Sequence, residues 1–269
     1  MIIIGSRVNE GAVAAPGYIR AYNVYTGALR WKFHTIPKPG EEGYESWEDK
    51  EAWKNIGGAN AWAGFSLDEK RGIVYAPIGS ASYDFYGGKR KGDNLFANSI
   101  LALDAATGKK IWHFQTVHHD VWDRDLPTAP ALVTVEQNGE KIDAVAQPTK
   151  GGLVFLFDRT NGKPLFPIEE ITVPNISELK GEKLSLTQPW LIDIEPFARQ
   201  RFTEKDVNPF VSKEEQEEIR LKLQSLSTGF TFNPPTKKGT VIFPGYDGGA
   251  EWGGPAYDPE TNLLYINSN

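Results

Sequence analysis

The segment ALDAATGKKIW, Ala102–Trp112, has the pattern of a complete β-hairpin. It starts with apolar residues, continues through a polar turn that contains glycine, and ends on an aromatic residue. This is the turn chemistry of two antiparallel strands joined by a short connection. The same plan recurs in AYNVYTGALRW, Ala21–Trp31, and in LFDRTNGKPLF, Leu156–Phe166. The chain is therefore built from repeated antiparallel hairpins.

A second kind of hairpin alternates with the first. It occurs as GFSLDEKRGIVYAPIGS, Gly64–Ser80, and as GPAYDPETNLLYINSN, Gly254–Asn269. Pairs of such hairpins give four-stranded antiparallel sheets, and repeats of this kind with aromatic ends are typical of β-propeller blades. We count about three blade equivalents, whereas a closed ring needs at least about four. Residues 1–269 are thus predicted to form a single incomplete β-propeller domain from a longer protein.

Two insertions interrupt the repeats. Residues 37–58 are rich in glycine, proline and aromatic residues, which predicts a long loop insertion. Residues 198–237 form the second insertion, and within it we expect a surface helix over about 213–226. Ser212 and Glu215 have the spacing of a capping box at the start of that helix.

Composition excludes several classes of protein. The net charge of −6 argues against a nucleic-acid partner, which needs a basic face. The absence of cysteine excludes disulfides, thiolate metal ligands and a cysteine nucleophile. The opening MIIIGSRVNEG lacks the regions of a signal peptide and predicts instead a buried strand from residue 1.

Titratable residues are concentrated in QTVHHDVWDRDLP, Gln115–Pro127. This stretch directly follows a hairpin, so we expect it on a loop at one end of the propeller, where such folds place their sites. With the flanking WHF and the later KGGLVFLFDRTNGKPLF, it closely resembles the quinoprotein dehydrogenases that use pyrroloquinoline quinone (PQQ), nearest the glucose and sugar dehydrogenase branch. The resemblance covers essentially the whole chain. It implies an all-β fold, namely part of an eight-bladed propeller of four-stranded antiparallel blades with PQQ and calcium on its axis.

The resemblance implies three central site residues. Asp123, the second aspartate of HDVWD, matches the catalytic base, which takes the substrate's hydroxyl proton while hydride leaves to the quinone. Lys150, in PTKGG, matches the basic residue that hydrogen-bonds the quinone oxygens. The alternative for Asp123 and Lys150 is an ordinary surface ion pair. Trp62, in GANAWAGF, matches the tryptophan beneath the flat cofactor, instead of simple blade packing. A nearby cation is expected to hold the pKa of Asp123 down.

The resemblance also implies a calcium site of oxygen ligands, part protein and part cofactor. SRVNEG places both Asn9 and Glu10 near the ligand position, and we prefer Glu10 for its charge. GSASYDFYGG places Ser82 where relatives carry an amide or hydroxyl ligand in contact with the cofactor, and Asp84 is a candidate to compensate for so weak a ligand. Asp123 is expected to complete the protein's share.

The other residues of the HHDVWDRD stretch receive smaller roles. Adjacent histidines on an extended segment point to opposite sides, so a shared zinc ion is not expected. One of them, assigned as His119, faces the cofactor site while His118 packs, with a structural role for both as the alternative. Asp120 and Asp125 are expected to bond loop amides or an arginine, and Trp122 to pack between blades.

One position departs from the family pattern. GAEWGG puts Glu251 where many relatives carry an asparagine that touches PQQ, so a charged contact replaces a neutral one. The vicinal cysteines of some relatives are absent, as in the sugar branch.

The sequence therefore predicts a PQQ- and calcium-dependent dehydrogenase segment that oxidises an alcohol group of a sugar or polyol. What the resemblance implies further is a quinone or cytochrome electron acceptor and a periplasmic location, free or attached to the inner membrane. The rival interpretation is a non-catalytic propeller scaffold that binds proteins on its loop face. A scaffold has no need for Asp123, Lys150 and Trp62 to face one cavity, and geometry separates the two. A hydrolase using Asp123 and His119 ranks last because no nucleophile is arranged beside them.

Overall fold

The chain folds into a succession of small antiparallel sheets, described by a computed structural model for residues 1–11 and 14–269. The first sheet contains β1 (Ile2–Ile4), β2 (Ile19–Tyr22) and β3 (Leu29–Phe33). The second sheet contains β4 (Ser66–Asp68), β5 (Ile73–Pro77), β6 (Ser99–Asp104) and β7 (Lys110–Gln115). The third sheet contains β8 (Ala131–Gln137), β9 (Glu140–Pro148) and β10 (Val154–Asp158). Two strand pairs follow, β11 (Ile168–Thr172) with β12 (Thr187–Leu191) and β13 (Pro255–Asp258) with β14 (Leu263–Ile266). Within each sheet, strands that are consecutive in the chain pair with each other.

Four of the five predicted hairpins are present, as the β2–β3, β4–β5, β6–β7 and β13–β14 pairs. The prediction for Leu156–Phe166 is wrong in part, because after β10 only the isolated bridge between Phe157 and Pro164 forms. Proline has no backbone N–H to donate to a ladder, and Pro164 and Pro167 both lie where a fourth strand would run. The chain continues instead into β11, which pairs with β12, a sheet that the repeats did not predict.

The aromatic residue that ends a hairpin packs on the glycine turn of the next sheet. The indole N–H of Trp31 donates to the Ala105 carbonyl, and that of Trp112 donates to the Arg159 carbonyl, both at 3.0 Å. Gly162 has a φ of 72°, and a Cβ there would lie 2.6 Å from the Trp112 ring. In the repeated pattern, the aromatic residue of one sheet and the glycine of the next sheet therefore contact each other.

The core lies between successive sheets. All five residues of β5 are buried, because the second sheet is covered on both faces. One core cluster joins it to the first sheet and a second joins it to the third, around Tyr75, Trp112, Phe155 and Phe157. Burial of apolar surface on both sides fixes the central sheet and the loops at its ends.

The first insertion is more ordered than the predicted loop. Residues 37–58 contain a 3₁₀ turn at Tyr44–Ser46 and the short helix α1 (Ala52–Asn55). Trp47 is 1% exposed and donates its indole N–H to the Leu95 carbonyl at 2.5 Å. Apolar burial thus packs this segment against the first two sheets.

The second insertion carries α2 (Lys213–Ser225), the one longer helix among the described residues. Ser212 accepts the Glu215 backbone N–H and Glu215 accepts that of Ser212, which is the expected capping box. Of the helix residues Leu223 is buried, so α2 lies on the surface. No helix in the described part of the chain has the length and hydrophobicity to cross a membrane.

The strand predicted at the start of the chain is present as β1, but the expectation that it is buried is wrong. β1 pairs only with β2, and Ile2 and Ile4 are 50% and 42% exposed. An edge strand of this kind leaves one row of backbone groups without a ladder partner.

Candidate functional site

Five connecting segments meet at a cleft of about 170 Å³. They are the β1–β2, β3–β4, β5–β6, β7–β8 and β9–β10 connections, and in a run of antiparallel strands these connections all lie at the same end. The glycine turns of the β2–β3 and β6–β7 hairpins lie at the opposite end. The cleft is lined by Arg7, Val8, Asn9, Glu10, Gly58, Asn60, Trp62, Ser80, Ser82, Asp84, Asp123, Asp125 and Lys150.

A lysine and two carboxylates lie at the centre of this cleft. The Lys150 Nζ is 3.0 Å from Asp123 Oδ2, with which it is hydrogen-bonded, and 3.8 Å from Asp125 Oδ2. The Lys150 side chain is 8% exposed, so the ammonium has little contact with solvent. Burial acts to lower the pKa of Lys150, but the carboxylates of Asp125 and Asp123 outweigh it and raise that pKa. Lys150 is therefore a cation at neutral pH.

The pKa of Asp123 is higher than the sequence suggested. Burial and the adjacent Asp125 raise the pKa of Asp123 to about 8, although Lys150 acts in the opposite direction. The expectation that a neighbouring cation holds this pKa below its usual range is wrong for the chain alone. The second carboxylate and the loss of water outweigh one ammonium group.

The indole of Trp62 is held against the same group of charges. Its Nε1 donates to Asp125 Oδ2 at 2.9 Å, and the Lys150 Nζ lies 5.9 Å from the ring centroid. The structure thus brings Asp123, Lys150 and Trp62 together around one cleft, as the family pattern implies.

Asp125 is the residue that sequence reasoning missed. It was expected to bond loop amides, and it does accept the Ser80 backbone N–H at 2.5 Å. However, it also lines the cleft and contacts both Trp62 and Lys150. A Cβ at Gly79 would lie 2.7 Å from Asp125 Oδ1, so glycine there leaves room for this carboxylate. The one sequence feature that pointed to it was its two-residue spacing from Asp123.

The predicted calcium ligands all line the cleft, and their oxygens suit a hard cation. Asn9 uses its Oδ1 to accept the Gly11 backbone N–H at 2.6 Å, whereas Glu10 is close enough to raise the pKa of Asp84. Burial, with Asp125, Asp120 and Glu10, raises the pKa of Asp84 to about 7. The buried Asp84 carboxyl therefore lies close to several other carboxylates.

Ser82 provides an independent indication of a missing partner. Its hydroxyl is buried and has no hydrogen-bond partner, which is costly unless another group satisfies it. Among the described residues, no three His, Cys, Asp or Glu side chains are close enough to hold a metal by themselves. The residues present therefore fit part of the ligand set of a divalent cation, with a bound cofactor as the source of further ligands.

The structure does not bring His119 into the cleft. Its Nε2 is 2.8 Å from Glu182 Oε1 and its Nδ1 is 2.8 Å from the Gly92 carbonyl oxygen, and both side chains of the pair are almost fully buried. His118 lies elsewhere, 2.7 Å from Gln115 Oε1 and 3.1 Å from Glu170 Oε1. The two rings share no metal site, and a cofactor contact from His119 stays a prediction without geometric support.

Glu251 is near the site but does not line the cleft. Its charge contributes to the raised pKa of Lys150, and its carboxylate accepts the Trp252 backbone N–H at 3.1 Å. Trp122 is buried as expected, at 1% exposed, but its aromatic partner Phe232 belongs to the second insertion and not to a blade. A contact between Glu251 and a cofactor stays a prediction.

Comparisons with known proteins show the family of this chain. Residues 1–269 match the family profile described as PQQ: glucose/ethanol/alcohol dehydrogenase, β-propeller domain. The chain is 36% identical to the quinate/shikimate dehydrogenase (quinone) of Acinetobacter baylyi over 99% of this chain and 33% of that protein. It is 35% identical to quinoprotein glucose dehydrogenase A of Acinetobacter calcoaceticus over 99% of this chain and 34% of that protein. The chain thus spans about a third of the length of these curated relatives.

Solved structures give the same architecture. A quinohemoprotein alcohol dehydrogenase from Pseudomonas putida superposes with a TM-score of 0.68 at 24% identity, over 99% of this chain and 35% of that one. A europium-containing methanol dehydrogenase superposes with a TM-score of 0.70 at 20% identity, over 99% of this chain and 42% of that one. At these identities the likeness establishes the fold.

Proposed function

Because this chain belongs to the family of PQQ-dependent glucose, ethanol and alcohol dehydrogenase β-propeller domains, we propose that it provides the catalytic base and part of the cofactor site of a sugar or polyol dehydrogenase. The observation that carries the proposal is the convergence of Asp123, Lys150 and Trp62 on one cleft. A protein-binding scaffold would not require these three groups to meet. The scaffold interpretation therefore has no support from the site.

Trp62 and Lys150 would hold the PQQ. The indole lines the cleft and offers a flat apolar surface for a tricyclic ring, and its hydrogen bond to Asp125 fixes the orientation of the indole. Lys150 presents a buried ammonium that hydrogen-bonds oxygen acceptors and stabilises negative charge on them. When bound, PQQ supplies an electrophilic carbonyl that accepts a hydride, and calcium polarises that carbonyl.

Asp123 would take the proton from the substrate hydroxyl as a hydride leaves the carbon that bears this hydroxyl. The alcohol would thus become a carbonyl by loss of one hydride and one proton, which together are two electrons and two protons. For this step the carboxylate must be ionised. A divalent cation near Glu10, Ser82 and Asp123 would lower the pKa of Asp123 from about 8. A bound cation would thus have a second role, since it would favour the ionised form of the base.

The remaining assignments rest on the family alone. We propose an eight-bladed propeller for the complete protein, an alcohol group of a sugar or polyol as substrate, and a quinone or cytochrome as electron acceptor. A periplasmic location, free or attached to the inner membrane, follows from the same relationship.

Dye-linked oxidation tests the proposal. The protein at its full natural length is loaded with PQQ and Ca²⁺ and assayed on a panel of sugars, polyols and simple alcohols. Turnover of at least one of them is expected, with a loss of at least about 100-fold in Asp123→Asn, which removes the base. A folded, cofactor-loaded protein that oxidises none of them would favour the scaffold.

A further inference from the structure

The turn that carries Asp123 has an unusual backbone. Asp123 has a φ of 59° and His119 has a φ of 45°, in the left-handed region that residues other than glycine disfavour. Such a conformation persists only where surrounding contacts fix it. The contacts that hold this turn therefore decide where the Asp123 carboxylate points.

The contacts converge on Asp120. Its Oδ1 accepts the Trp122 backbone N–H at 2.9 Å, and its Oδ2 accepts the Arg124 backbone N–H at 2.7 Å. These two hydrogen bonds hold the residues immediately before and after Asp123. Asp120 is 2% exposed, so no water competes for the same donors.

Two side chains from the β5–β6 connection anchor Asp120 in turn. Its Oδ2 accepts Asn98 Nδ2 at 2.9 Å and the Ser80 hydroxyl. Asn98 also donates to the Arg124 carbonyl at 3.0 Å, so the same amide holds both ends of the turn. Through Ser80, whose backbone N–H bonds Asp125, the network reaches the second carboxylate of the cleft.

We propose that Asp120 is a positioning residue: its buried carboxylate holds the turn of residues 121–124 in the shape that points Asp123 at Lys150. Asp120 does not line the cleft, and it reaches the turn through the backbone N–H groups of Trp122 and Arg124. The catalytic consequence of this inference rests on the proposed function, whereas the effect of Asp120 on the shape of the turn does not.

The first test measures the turn directly. Hydrogen exchange of the segment around residues 118–126 is compared between the wild type and Asp120→Asn in the full-length protein without cofactor. The variant retains one acceptor in place of two, so exchange at Trp122 and Arg124 should rise by about tenfold or more. Unchanged exchange would overturn the proposal.

The second test measures catalysis. In the PQQ- and Ca²⁺-loaded protein, Asp120→Asn should lower kcat by about 10- to 100-fold with KM within about twofold, because misplacement of a reacting group by an ångström costs that much. In an Asp123→Asn background the same change should cause no further loss of the residual rate. An unchanged kcat, or an additive loss in that background, would contradict a role through Asp123.

A matched control is available at the opposite end of the sheet. Asp104 accepts the Thr107 backbone N–H at 2.8 Å in the β6–β7 turn, so Asp104→Asn should loosen that turn and leave kcat unchanged. If Asp120→Asn does not fold, Ser80→Ala removes one donor to Asp120 and should move exchange and kcat in the same direction by less. If the wild type oxidises no alcohol, the proposed function fails while the exchange result still decides whether Asp120 shapes the turn.

Discussion

Replacement of Lys150 by methionine isolates the contribution of its charge, because methionine keeps the apolar stem and removes the ammonium. Two contacts are lost, at 3.0 Å to Asp123 and 3.8 Å to Asp125. At an effective dielectric constant of about 20, unit charges at these distances interact by roughly 5.5 and 4.4 kcal/mol. Both are upper limits, since the two carboxylates can take up protons instead of remaining charged and unpaired.

The catalytic cost follows from the ammonium as a preorganised donor. Loss of one such donor costs about 10²- to 10³-fold in kcat, or about 2.7–4 kcal/mol. Lys150 also opposes the raised pKa of Asp123, so its removal raises that pKa further. Activity of Lys150→Met at neutral pH should therefore fall by at least about 100-fold and recover in part as the pH is raised.

Steady-state dye-linked assays between about pH 6 and 10 measure this effect. Lys150→Arg keeps a cation and should retain more activity than the methionine variant. Lys183→Met removes a lysine from an exposed pair with Glu48 and should leave kcat unchanged, because exposed pairs contribute little. If Lys150→Met turns over within about twofold of the wild type at neutral pH, the reasoning on this ammonium is refuted.

Three further predictions concern cofactor binding at Trp62 and the stability of the fold. Trp62→Ala should weaken PQQ binding by at least about tenfold in equilibrium dialysis, since about 1.4 kcal/mol of stacking and burial is lost, and unchanged binding would exclude the indole as the platform. Gly162→Ala should destabilise the protein in urea by about 2–5 kcal/mol, because its left-handed φ is combined with a clash on Trp112. Gly27→Ala, with a φ of 69° and nothing within 4 Å of the new Cβ, should cost only about 1–2 kcal/mol, and equal costs would refute the packing argument. Hydrogen bonding to Arg71 at 2.6 Å lowers the pKa of Asp143, so the bridge stabilises the fold above the ordinary aspartate pKa and is lost as the pH falls through the lowered value. The stability difference between wild type and Arg71→Met should shrink below about pH 4, and a constant difference would argue against it.

The repeated hairpins could be predicted because their determinants are local. A polar turn with glycine between apolar strands specifies β6–β7 without reference to the rest of the chain. The same local reasoning failed after Gly162, where the prolines removed ladder donors, and the β11–β12 pair lacks the glycine-turn pattern altogether. The presence of strands could thus be predicted from local sequence, whereas strand pairing after Gly162 depended on the backbone N–H groups that proline lacks.

Site residues could be predicted where the family pattern specifies a residue type. They could not be predicted where the shape of the backbone decides where a side chain points. Placement of His119 assumed an extended segment with alternating side chains, but its positive φ turns the ring toward Glu182. The raised pKa of Asp123 depends on Asp125 through space and on burial, and neither follows from spacing alone. Asp120 and Asp125 bond loop amides as the sequence predicted, whereas the place of Asp125 in the cleft could not be predicted because it depends on how the loops fold.

A crystal structure of the full-length protein grown with PQQ and Ca²⁺ tests the central claim most directly. The account predicts the flat ring of PQQ against Trp62, with Lys150 in hydrogen-bonding distance of its oxygens and the cation between the cofactor and the carboxylates of Glu10 and Asp123. PQQ bound elsewhere in the protein, with Trp62 and Lys150 free of contact with it, would contradict the account.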